Sequence, residues 1–311
     1  MKNPRAPSHT AKQDLHVRRM EVAGKLSKLE ARIYRCGPPA CKRDDLVVFF
    51  HGGAFVTGNL DEADEFLRHV VRADPNLIIL ATSYTLAHAA PFPAAMEDAH
   101  AVLVWANKNK ARLRWNGKRL LVAGIDAGAN LAAVSTIVAR DRGGPCLSGQ
   151  ILIMPMLDTN LCSASMRNLS NNPVLENLAE LCADGYRAYL PLAVDRLHPY
   201  ASPLALSRLK NLPPALILAA EIDPLRDEAE QYASRLNKDG VTTTLRYLPA
   251  LPMVRPGDRN EFAGNGNAHG EIVAFIAGLS PESSRRNPCS PENRERGELR
   301  PSRVLQSERK S

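Results

Sequence analysis

The chain has 311 residues, 44% of them apolar, enough to bury a full core in one domain of catalytic size. Its net charge of +7 points toward nucleic acid only until the charge is located. Residues 1–45 hold 11 Lys/Arg against 5 Asp/Glu, residues 281–311 hold 8 against 5, and the body between them holds 21 against 23. The basic excess therefore sits on the two ends, and no nucleic-acid motif accompanies it.

Between Met1 and Arg19 the sequence is polar and basic without the apolar centre of a secretory signal. No apolar run reaches the ~18 residues that would span a bilayer, so a cytoplasmic chain with no membrane span is expected. Cys36, Cys41, Cys146, Cys162, Cys182 and Cys289 show neither CxxC nor Cys/His spacing, which favours free thiols over a zinc site or a disulfide framework. No cofactor and no metal are expected.

In chain order, the first strong element is a predicted strand, Leu46–Phe50, followed at once by His51-Gly52-Gly53-Ala54-Phe55. Two glycines after a strand let backbone N–H groups point into a cleft, as an oxyanion hole requires. His51 reads as a structural neighbour of that turn. A helical pattern over 61–73 leads to a second strand, Leu77–Leu80, and His88 falls in the loop that follows. After Pro91-Phe92-Pro93-Ala94-Ala95 comes a helix over 94–110, then a strand, Leu120–Ala123.

That strand runs into Gly124-Ile125-Asp126-Ala127-Gly128, and a helix is predicted over 127–140. Strand, tight turn and helix with flanking glycines form a nucleophile elbow, which lifts one side chain above the sheet. Here that side chain is Asp126, where a serine hydroxyl is usual. Ser135 lies inside the following helix and cannot replace it.

Ile151–Met154 is the next strand, after which Met166–Leu190 has helical pattern without a strand and reads as an inserted lid. Strands Ala215–Ala219 and Thr242–Tyr247 flank a helix over 225–238, and a last helix is predicted over 268–279. Strands alternating with helices predict an α/β fold with a mostly parallel sheet covered on both faces, and ligands bound beyond the carboxyl ends of the strands. From residue 281 the composition turns to Pro, Ser, Asn, Arg and Glu, which predicts a disordered basic tail.

Several motifs occur together in order: His51–Phe55, Pro91–Ala95 with Glu97-Asp98-Ala99, Gly124–Leu131, Tyr200-Ala201-Ser202-Pro203-Leu204, and Leu212–Ala215 leading to Asp223-Pro224-Leu225-Arg226-Asp227-Glu228. With these the sequence resembles the hormone-sensitive-lipase-like branch of the α/β-hydrolases, the bacterial acetyl-esterase and carboxylesterase group, over roughly residues 29–279. The resemblance implies an α/β-hydrolase fold of eight strands with a small helical cap. It also implies ester hydrolysis by a Ser/Asp/His triad acting on a small-molecule ester or ester-like ligand. It places a short N-terminal cap segment at 1–28, a hydrolase domain at 29–280 and a lid insertion at about 160–195. A homo-oligomer is compatible with it.

Carried over residue by residue, the resemblance makes Gly52, Gly53 and Ala127 the oxyanion donors and Asp223 the triad acid. Asp126 then occupies the nucleophile position, and Met253, in the turn Leu248–Met253, occupies the histidine position. His269 is the only histidine beyond the last strand and is a candidate substitute base.

Three functions follow. The first is an ester hydrolase impaired by loss of the triad serine and histidine. The second is a non-catalytic binder of small molecules. The third is a hydrolase of alkyl substrates in which Asp126 attacks a saturated carbon and His269 activates water.

Overall fold

A computed structural model describes residues 14–38, 41–169, 171–249, 258–265 and 267–279. Its strands are β1 (Leu15–Ala23), β2 (Lys28–Cys36), β3 (Arg43–Phe50), β4 (Leu77–Thr82), β5 (Trp115–Ile125), β6 (Gly149–Ile153), β7 (Ala215–Ala220) and β8 (Thr243–Leu248). The helices are α1 (Asp64–Ala73), α2 (Ala94–Lys108), α3 (Lys110–Leu113), α4 (Ala127–Arg142), α5 (Ala164–Arg167), α6 (Pro173–Tyr189), α7 (Arg226–Lys238), α8 (Asp258–Asn265) and α9 (Ala268–Gly278). The strands form one sheet in the order β1-β2-β4-β3-β5-β6-β7-β8. β2 pairs antiparallel with both β1 and β4, and the pairs from β4–β3 through β7–β8 are parallel. This is the α/β-hydrolase fold that the motifs implied.

Each parallel strand is followed by a chain segment that returns over one face, so the strands are covered on both sides and read as continuous apolar runs. β4 and β7 are buried at all six positions. α2 and α4 cover one face, and α1 and α9 cover the other. α4 is buried at every position from Ala127 to Ala139, the polar Asn130, Ser135 and Thr136 included, so it has no solvent face over that span and carries no amphipathic signature.

The two strands that the sequence did not predict are β1 and β2. Residues 15–23, inside the segment expected as a cap, are instead the edge strand of the sheet, in register with β2 from Leu15↔Cys36 to Ala23↔Lys28. β1 (LHVRRMEVA) is charged and largely uncovered, and β2 (KLEARIYRC), though buried at six of nine positions, carries charged residues along its length, so neither shows a clear strand pattern. The lid expected at about 160–195 contains α5 and α6, with Asn172 capping α6 through its side chain on the Val174 N–H. The tail from residue 281 lies outside the described residues.

The elbow is held by close backbone packing. A Cβ on Gly124 would come within 2.2 Å of the Gly128 backbone, and one on Gly128 within 2.2 Å of the Phe50 carbonyl oxygen. Only glycine lets β5, α4 and β3 approach so closely. Asp126 sits between them with φ 58° and ψ −119°, a strained conformation for a residue with a side chain.

Candidate active site

Asp126 is 3% exposed at the carboxyl end of β5, its N–H bonded to the Ile153 carbonyl at 3.0 Å and its own carbonyl accepting from Met156 N–H at 3.3 Å. These bonds fix the elbow between β6 and α4 and aim the carboxylate at the turn after β3. There Oδ2 accepts from Gly53 N–H at 3.0 Å and from Ala54 N–H at 2.8 Å. Oδ1 is buried and has no hydrogen-bond partner among the described residues.

The donors that meet this carboxylate are thus Gly53 and Ala54. Of the expected oxyanion donors Gly52, Gly53 and Ala127, Gly53 is the one that meets this side chain; among the described residues no hydrogen bond runs to it from Gly52 or Ala127. Gly52 serves by its small size: a Cβ there would stand 3.3 Å from that of Asp126. Gly53 and Ala54 both adopt positive φ, which lets their successive N–H groups point at the same oxygen.

The turn is braced on two sides. His51 is buried, its Nδ1 lies 2.7 Å from the Gly52 carbonyl oxygen, and its ring stacks on Tyr84 at 4.4 Å. Tyr84 donates its hydroxyl to the His51 carbonyl at 3.1 Å. Burial is the main cause that lowers the His51 pKa, so the ring is neutral and acts as a brace. From above, the lid helix α6 presses Gly185 onto Ala54, leaving no room for a Cβ (2.1 Å to the Ala54 carbonyl oxygen), and Phe55 stacks on Tyr189 at 4.0 Å. Cys182 on the same helix is fully buried, and burial, followed by the nearby Asp126 charge, raises its thiol pKa well above the usual value. His88 and Ser135 take no part in these contacts.

Asp223 follows β7 and is 5% exposed. Its Oδ1 accepts from Leu225 N–H at 2.9 Å and from Arg259 Nη2 at 3.0 Å, while its Oδ2 accepts from Arg259 Nη1. Arg259, on α8, is itself only 3% exposed. Burial alone would lower the pKa of its guanidinium, but Asp223 first and Asp126 second outweigh that and push it up. A permanently charged fork therefore holds the acid whose usual partner would be an imidazole.

One helical turn further on, Glu228 is buried with Oε2 accepting from Leu157 N–H at 2.5 Å and Asp158 N–H at 2.6 Å. Burial is the largest cause raising its pKa well above the ordinary carboxylate range, against the two N–H donors, which lower it.

The sequence expected Asp126 and Asp223 at one cleft, and Arg259 joins them there electrostatically. Met253 lies outside the described residues. His269 stands at the start of α9 with its ring 6.4 Å from that of His69 on α1, and no described contact joins it to Asp126 or Asp223. Arg259 was missed because a single arginine in Asp258–Asn265 looks like surface charge. Only the partner it meets in space distinguishes it.

With this geometry established, the class is settled: a family model described as alpha/beta hydrolase fold matches residues 47–254, and the chain belongs to that family, in its hormone-sensitive-lipase-like, ester-hydrolase branch. Among its relatives is the carboxylic ester hydrolase LipN of Mycobacterium tuberculosis, 36% identical over 271 residues that cover 86% of this chain and 70% of that protein. An arylesterase of Saccharolobus solfataricus is 32% identical, covering 81% of this chain and 78% of its own length. The solved structure of a hyperthermophilic esterase from the archaeon Pyrobaculum calidifontis matches with a TM-score of 0.77 at 34% identity, covering 84% of this chain and 82% of that one. Among the described residues no helix is long and apolar enough to cross a membrane.

Proposed function

We propose that this member of the ester-hydrolase family keeps the cleft for a small-molecule ester or ester-like ligand but is strongly impaired in turnover. The single observation that carries the reading is the Asp126 carboxylate seated on the Gly53 and Ala54 N–H groups. Ester hydrolysis develops negative charge on the former carbonyl oxygen, and the same N–H donors would have to stabilise it. A resident carboxylate at that position already occupies the donors and repels a second anion. Attack by Asp126 on an ester would also give an anhydride, which conserves the reactivity it should discharge.

The acid side of the cleft supports the same reading. With both oxygens of Asp223 engaged by Arg259, the acid is not available to orient an imidazole or to stabilise its protonated form. Loss of the serine or histidine of such a triad costs on the order of 10⁴–10⁶ in rate, leaving a remnant from binding and dipoles. The alkyl-substrate route requires a base beside Asp126, and the contact of His269 with His69 argues against it. We further propose that the protein acts in the cytoplasm, consistent with the free thiols of Cys36, Cys41, Cys162 and Cys182.

Hydrolysis of p-nitrophenyl butyrate tests the proposal. The native chain is expected to run near the rate of an elbow-disabled Asp126→Ala control. A native rate comparable to that of an Asp126→Ser, Met253→His variant overturns it.

A second reading rests on Oδ1 of Asp126, a buried acceptor without a partner among the described residues that a ligand carrying an N–H or O–H donor would satisfy. It makes the protein a binder without turnover. Calorimetry with small amines and alcohols at millimolar concentration checks it, and binding that persists unchanged in Asp126→Ala rejects it.

A further inference from the structure

Among the described residues the large apolar side chains left most open to solvent are Leu26, Leu192, Val194 and Leu197, between 61% and 77% exposed. All four stand at the end of the sheet where Asp126 and Asp223 lie. β2 pairs antiparallel with β4, with Ala31 opposite Thr82 at the carboxyl end of β4, so the tip of the β1–β2 hairpin, which carries Leu26, projects beyond that end. Leu192, Val194 and Leu197 follow the lid helix α6, in and just before a single 3₁₀ turn, Ala193–Leu197, none of whose residues is buried. Ile222, between β7 and Asp223, is half-exposed at the same end.

Both segments are pinned from below, so their apolar side chains cannot fold back onto the core. In the hairpin tip Gly24 N–H donates to the Ser27 carbonyl at 2.9 Å, and Lys25 N–H donates to Oδ1 of buried Asp98 on α2 at 2.7 Å. The other Asp98 oxygen accepts from Thr85 N–H at 3.0 Å and Thr85 Oγ1 at 2.6 Å. At the lid exit Phe92 N–H donates to the Tyr189 carbonyl at 2.8 Å, the Phe92 ring lies 5.1 Å from that of His198, and Thr159 Oγ1 donates to the Arg196 carbonyl at 2.8 Å. Phe92 and Asp98 are six residues apart at the start of α2, about 9 Å at ~1.5 Å per residue, so one helix end sets the two loops side by side.

We propose that this end of the molecule docks on an anionic lipid surface, with Leu26, Leu192, Val194 and Leu197 entering the boundary between headgroups and acyl chains. The four side chains offer roughly 400 Å² of apolar area, against ~800 Å² per partner in a stable protein interface, and they are divided between two loops. That is too little to hold a second copy. A bilayer needs no matching shape, because each side chain partitions into it on its own.

The charges choose the lipid. Lys25 and Lys28 flank Leu26, Arg196 precedes Leu197, and residues 1–45 hold 11 Lys/Arg against 5 Asp/Glu. Asp195, the acid of the 3₁₀ turn, is half-buried, and Glu21 is paired with Lys28 at 2.9 Å. Docking also turns the cleft toward the lipid: the rings of Phe55, Tyr189, Phe92 and His198 touch in series from the turn that holds Asp126 to the exposed loop. The proposal is independent of ester turnover, which vesicle binding does not read.

Sedimentation of the full chain at low ionic strength with vesicles of phosphatidylcholine and phosphatidylglycerol in equal parts is the test. Saturable binding is expected, weakened about tenfold or more in the double variant Leu192→Ser, Leu197→Ser and also in Leu26→Ser. Lys25→Gln should lose about fivefold. Lys118→Gln, near the start of β5 at the other end of the sheet, should bind as the native chain does. Polar substitutions at such exposed positions should leave the melting temperature within about 2 °C of native, and because the two loops are separate segments, each serves as the readout if a variant of the other melts early.

No binding to these vesicles, binding as strong to phosphatidylcholine alone, binding unchanged in the leucine variants, or equal losses in Lys25→Gln and Lys118→Gln overturns the proposal. Self-association that the leucine substitutions abolish, without vesicle binding, also overturns it and assigns the face to a second copy.

Discussion

Two buried carboxylates, Asp126 after β5 and Asp223 after β7, are stabilised by different means. Asp126 is held by backbone dipoles: two N–H groups of a turn that would point inward whatever side chain stood opposite. Asp223 is held by a full charge, the Arg259 guanidinium, which is as deeply buried as its partner. The first arrangement is local, and water or a ligand oxygen can replace the carboxylate. The second is a coupled pair in which neither member can be removed without leaving the other charge stranded. The elbow side should therefore tolerate change, and the acid side should not.

The largest effect that sharpens this contrast is catalytic. Asp126→Ser with Met253→His should raise p-nitrophenyl butyrate hydrolysis by about 10³-fold or more, because the donors are freed and a base is supplied. Adding Arg259→Gln should raise it again by releasing Asp223. No gain from the triple variant would mean that something other than the triad limits the rate.

Next is the stability of the buried pair. Arg259→Ala should cost about 3–5 kcal/mol in chemical denaturation, the usual loss when one partner of a buried ion pair is removed. Asp126→Ser should cost much less, and equal losses at the two positions would break the contrast drawn above. A smaller effect is expected at the lid. Gly185→Ala forces a Cβ onto the Ala54 carbonyl, and about 1–3 kcal/mol is expected from overpacking of this kind.

The smallest effect is a pH dependence. The Glu228 carboxyl is raised above its ordinary value of 4.5, so the folded chain keeps a proton that the unfolded chain releases above that pH. Its contribution is therefore present below about 4.5 and is lost as pH rises toward the folded value. Glu228→Gln, which keeps an acceptor for Leu157 and Asp158 N–H, should flatten that decline in a melting-temperature profile. An identical slope in both proteins would show that Glu228 does not ionise in that range.

Most strands of the parallel core were legible because burial on both faces writes itself as uninterrupted apolar runs, as in Leu77–Leu80 and Ala215–Ala219. β1 and β2 were not: the edge strand β1 buries few of its side chains, and β2, inside the sheet, carries Lys28, Glu30, Arg32 and Arg35 among its apolar residues. The elbow was legible down to Asp126, since its glycines are demanded by backbone distances that allow no Cβ.

The sequence by itself thus determined the fold family, the turn and the identity of the residue at its crest, all consequences of local chain geometry and of periodic burial. Tertiary structure alone decided which N–H groups that residue meets, and that Arg259, 36 residues along the chain from Asp223, closes on it as a buried counter-ion. The physical reason is that a charge reveals its role only through its partner. Pairing between distant side chains leaves no periodic trace in the order of residues.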